Sequence, residues 1–166
     1  MRIRSMILAG AALVAMTASA QANDVVFDVQ GDVPLACEAI NNSIDAVEIV
    51  DLTITSNQTL GSITYRCNSA AGFTRTISSA NAGQLWRAGT SGGNGNALDY
   101  LLGHGGGSGL GFANEQLTSP KVTNLGGSTA FIAGQTGSVR FAMPAPAAGV
   151  YAGTYSDTVT IAVSAN

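Results

Sequence analysis

The chain has 166 residues, of which seven are basic, ten acidic and 46% hydrophobic. Its opening stretch, MRIRSMILAGAALVAMTASAQA, sets Arg2 and Arg4 before an apolar run from Met6 to Met16, followed by the overlapping small-residue patterns Ala18-Ser19-Ala20 and Ala20-Gln21-Ala22, so residues 1–22 read as a secretory signal peptide. Without them five basic and ten acidic side chains remain, a balance that argues against nucleic-acid binding, and no later segment approaches the roughly 20 apolar residues of a membrane-spanning helix.

Residues 23–36 come next as an N-terminal extension. In DVVFDVQGDVPL the positions Val25, Phe27, Val29, Gly31, Val33 and Leu35 form a nearly continuous apolar face, with Asp28, Gln30 and Asp32 opposite, which is the period of a strand. Burying Val25, Phe27, Val29 and Val33 at roughly 1.5–3 kcal/mol each sets an upper bound of about 6–12 kcal/mol, comparable to the whole stability of a small domain. The segment precedes the first cysteine and can detach without opening a disulfide loop. The same alternation also suits the first strand of a self-contained sandwich.

Cys37 and Cys67 are the only two cysteines. A secreted chain carries them into an oxidising compartment, there is no C-x-x-C, and His104 is the single histidine, so a structural disulfide is expected and a metal site is not. Closing a loop of about 30 residues contributes roughly 3–4 kcal/mol in the chain-entropy account.

Further strands are expected at 46–55, 60–67, 73–80, 97–103, 138–143 and 154–163, with weaker ones near 121–133. Gly, Ser, Thr, Ala and Val predominate, and no amphipathic helix stands out. Seven or so short strands with turn-rich connections suggest an all-β, immunoglobulin-like sandwich. Residues 87–112 are the most glycine-rich, but they contain no phosphate-binding loop motif and no following helix, so long turns explain them better. His104 lies there without a second histidine or a nucleophile motif, so neither a catalytic nor a cofactor site is expected. Asn41-Asn42-Ser43 and Asn57-Gln58-Thr59 match the short glycosylation pattern, which carries little information.

The chain closes on TYSDTVTIAV. Tyr155, Val159, Ile161 and Val163 share one face, and Asp157 falls on the same parity, a position better suited to a bulge or to the entrance of the strand than to a core. A terminal strand needs a partner on each side or a protected edge.

GSITYRCNSAAGFTRTISSANAG (61–83), ALDYLLG (97–103) and above all AGTYSDTVTIAV (152–163) resemble the spore coat protein U domain, a family that includes subunits of archaic chaperone-usher pili; the likeness spans roughly residues 60–163. It implies a pilin-like sandwich over 37–166, incomplete by one strand, with a groove beside the C-terminal strand formed by Tyr155, Asp157, Val159, Ile161 and Val163. It further implies that a periplasmic chaperone first fills this groove. At the outer-membrane usher a neighbouring subunit then replaces the chaperone, donating Val25, Phe27, Val29, Gly31 and Val33. The expected product is a secreted cell-surface fimbrium with a role in adhesion or biofilm formation. A secreted monomeric β-sandwich, acting as a coat or ligand-binding protein, is the alternative.

Overall fold

Alternating side chains build nearly every element of the computed structural model, which describes residues 27–43 and 50–166. In chain order the strands are β1 (Cys37–Asn41), β2 (Gln58–Cys67), β3 (Phe73–Ser79), β4 (Gln84–Arg87), β5 (Ala97–Asp99) and β6 (Leu101–His104). Then follow β7 (Phe112–Glu115), β8 (Lys121–Leu125), the short helix α1 (Thr129–Ala133), β9 (Gln135–Ala142), β10 (Tyr155–Ser156) and β11 (Val159–Ala165). All the ladders are antiparallel. They form one sheet in the order β1-β2-β9-β6-β7 and two three-stranded sheets, β10-β4-β5 and β11-β3-β8.

The fold is an all-β sandwich because side chains of all three sheets meet in one core. Ile77, Leu85, Leu98, Leu102, Val139 and Phe141 form its main cluster, and a second gathers Tyr65, Phe73, Leu110, Leu125 and Phe131. Strand β3 shows the pattern plainly: Phe73, Arg75 and Ile77 are buried while Thr74, Thr76 and Ser78 are not. Gly72 turns the chain from β2 into β3 at φ 84°, and a Cβ there would lie 1.9 Å from the Leu125 carbonyl oxygen, so no other residue fits without moving backbone.

Cys37 and Cys67 are bonded and stand directly opposite in the β1–β2 register, with Cα atoms 4.0 Å apart. Non-reduced mature protein should therefore show no free thiol by mass spectrometry. Cys67→Ser is expected to cost about 2–5 kcal/mol in chemical denaturation.

Several strand expectations need correction. Residues 27–36 adopt no strand: Pro34 cannot donate to a ladder, and no described strand pairs with them. Residues 50–55 also form none, because Asp51 accepts hydrogen bonds from the Thr53 amide and hydroxyl, a local turn that competes with pairing; residues 46–49 lie outside the described part. The 97–103 segment divides at Tyr100 into β5 and β6, which enter different sheets. The 154–163 segment divides at Asp157-Thr158 into β10 and β11. The weak 121–133 stretch is β8 followed by a helix, whose Phe131 caps the second cluster.

The chain separates into two units, Met1–Asp32 and Val33–Asn166. All the elements above belong to the second. Residues 1–22, read from the sequence as a signal peptide, and Val25 lie outside the described residues.

Candidate functional site: an open groove beside the last strand

Strand β11 pairs with β3 on one edge only, and β1 pairs only with β2. Among the described residues their other edges carry no ladder, so both present main-chain donors and acceptors without a strand partner. A groove of about 740 Å³ opens alongside. Val139 and Phe141 of β9, Leu60 and Ile63 of β2, Leu85 and Tyr100 line it as apolar floor; Tyr155, Val159 and Ile161 form a wall. Several of these residues also belong to the main core cluster. The groove therefore reaches down to the core, where Leu85, Tyr100, Val139 and Phe141 stay buried while Leu60, Ile63, Val159 and Ile161 are half-buried.

Burial along β11 records the same opening. Val159, Ile161 and Val163 face inward yet are only half-buried, whereas Phe73 and Ile77, their neighbours on β3, are fully buried. Thr160, Ala162 and Ser164 face outward and are exposed.

Asp157 occupies the break between β10 and β11 at the groove wall. One carboxylate oxygen accepts hydrogen bonds from the Ser79 hydroxyl at 2.5 Å and the Tyr100 hydroxyl at 2.6 Å. The other accepts from the amides of Asn81 at 3.0 Å and Thr158 at 2.7 Å. Burial, together with the bond to this carboxylate, drives the Tyr100 phenol well above its usual pKa. Four donors on one carboxylate fix the point where the chain leaves one sheet for another. Asp157→Ala strands the Tyr100 hydroxyl and should lower the melting temperature by the equivalent of about 2–3 kcal/mol, with Asp157→Asn retaining part of the stability. An unchanged melting temperature would contradict this role.

The residues expected to donate a strand are placed differently. Phe27, Val29 and Val33 are 82%, 91% and 80% exposed, and Gly31 meets no atom within 4 Å of where a Cβ would stand. These apolar side chains stand on residues that form no strand of their own.

His104 is 1% exposed. Its Nε2 lies 3.0 Å from the Tyr65 hydroxyl, its ring stacks on Phe112, and the buried Arg75 guanidinium sits over both Tyr65 and Phe112. Arg75 also donates to the Leu110 carbonyl at 2.9 Å. Burial, aided by the charges of Arg75 and Arg140, lowers the His104 pKa to about 4 from an ordinary 6.5. Because the unfolded chain takes up this proton first, stability is complete above pH 6.5 and declines as pH falls towards 4. The total loss is about 3 kcal/mol. Unfolding free energies measured across that interval should fall in the wild type and stay flatter in His104→Gln.

Nothing in the sequence pattern marks Leu60, Leu85, Val139 or Phe141 as groove residues. Tyr100 alone carried a usable signal, an aromatic residue in the middle of an apparent strand.

Among the described residues no group of three His, Cys, Asp or Glu side chains could hold a metal ion, and no helix is long and apolar enough to cross a membrane. No family model matches the chain, and no curated protein matches it.

Proposed function

We propose that this protein is a structural subunit of a chaperone-usher type pilus or surface fibre that polymerises by donor-strand complementation. The observation that carries the reading is the groove: half-buried Leu60 and Ile63 of β2 and Val159 and Ile161 of β11 line it together with the buried core residues Val139 and Phe141, beside an edge of β11 that carries no ladder among the described residues. An extended segment that paired with this edge and placed alternate apolar side chains on the floor would satisfy both the backbone and the core at once. The exposed face of Phe27, Val29, Gly31 and Val33 has the required period, and a second copy of the chain supplies it. The closing residues AGTYSDTVTIAV, which resemble the spore coat protein U domain, support the same reading.

In this account the subunit leaves the cytoplasm through its signal peptide and is held in the periplasm by a chaperone strand lying in the groove. At an outer-membrane usher the chaperone strand gives way to the extension of the next subunit. The fibre on the cell surface then serves adhesion or biofilm formation. Native secreted material should run as a ladder of multimers that survives mild denaturant, and the periplasmic subunit should co-purify with a chaperone. A clean monomer with neither property would favour a self-contained secreted sandwich.

A further inference from the structure

The β1–β2 ladder ends at the Cys37–Cys67 pair, yet hydrogen bonding continues beyond it. The Asn68 amide donates to the Ala36 carbonyl at 3.1 Å. Ala36 N–H in turn donates to Asn68 Oδ1 at 2.8 Å, and Asn68 Nδ2 donates to the Pro34 carbonyl at 2.8 Å. The main chain after Asn68 turns away towards Gly72, whose N–H bonds the Ser69 carbonyl, and cannot supply another rung. A carboxamide carries the same donor and acceptor as a peptide group, so the side chain of Asn68 acts as the missing rung and holds residues 34–36 in line with β1.

Among the described residues the stem is held by these bonds of Asn68, since residues 33–36 are all exposed and bury no apolar side chain that would anchor them. Pro34 adds stiffness by fixing its own φ and confining Val33 to extended backbone. Disulfide, carboxamide rung and proline therefore follow one another at the point where the N-terminal segment leaves the sandwich.

We propose that Asn68 is a positioning residue that fixes the direction in which the donor segment leaves its own subunit, and so sets the angle between neighbours in a fibre. This rests on the function proposed above. The bonds lie on the exposed surface, so breaking them leaves the folded body intact while freeing the stem.

The experiment compares wild type, Asn68→Ala and Asn68→Asp in two measurements on the full chain: amide hydrogen exchange at Ala36, and the distribution of angles between adjacent subunits in electron micrographs of fibres. In Asn68→Ala, protection at Ala36 is expected to fall about tenfold and the angular distribution to broaden, with an unchanged melting temperature. Asn68→Asp keeps the acceptor for Ala36 but loses the donor to Pro34, and should fall between the two. Variant fibres with wild-type angles and wild-type protection would overturn the role of Asn68 while leaving the fibre reading intact. Failure of the wild type itself to form fibres would overturn that reading, and this role with it.

Discussion

Replacing Phe27 with aspartate is expected to abolish the fibre while leaving the periplasmic subunit at its normal level. Phe27 carries the largest apolar side chain of the extension and is 82% exposed, so the charge disturbs nothing in the folded body of its own subunit. On the proposed function its effect appears only when the segment enters a neighbour's groove, where an unpaired carboxylate against Leu85, Tyr100 and Phe141 costs several kcal/mol. That is enough to prevent the exchange with the chaperone. In a sandwich completed by its own first strand, the same charge would enter the protein's own core and the subunit would disappear. Following periplasmic subunit and surface fibre together separates the two cases.

Ile161→Asp should have the opposite profile, with loss of the subunit at every stage. Ile161 stands opposite Ile77 in the β11–β3 register, packs against both core clusters and lines the groove. A charge there damages the core and the proposed seat of the chaperone at once, at a cost of several kcal/mol. Thr160→Asp, one residue earlier on the exposed face, is the matched control and should leave the amount of chaperone-bound subunit unchanged. Equal amounts of complex from the two variants would contradict the placement of β11.

Period-2 alternation was sufficient to locate β2, β3, β9 and β11, most plainly in β3, where Phe73, Arg75 and Ile77 are buried and the residues between them are not. The cysteine pair was legible from count and compartment alone. Where one apparent strand serves two sheets, alternation gives no warning: nothing in ALDYLLG marks the change of sheet at Tyr100, whose hydroxyl finds Asp157 from 57 residues away. Strands β4 and β7 are four residues each and sit beside or within the glycine-rich stretch, too short for a period to register. The groove floor was hidden for a different reason. Leu60, Leu85 and Phe141 read as ordinary core residues, and nothing in their pattern tells that they line a groove beside β11. The extension shows the reverse case, a strand pattern whose described residues, 27–36, form no ladder, since alternation records what a segment can bury and not which molecule it is buried in.

Isotope-mixed photo-cross-linking tests that last point most directly. A photoreactive side chain at position 29 is placed in two separately produced preparations of the chain, one labelled with heavy nitrogen and one unlabelled, which are mixed before assembly and irradiated in the assembled material. Donation in trans predicts cross-links from the 24–35 segment to peptides spanning 155–165, with heavy and light partners combined in one product. Cross-links to the same peptides that only ever join heavy with heavy and light with light would show that the segment completes its own subunit, and would contradict the account.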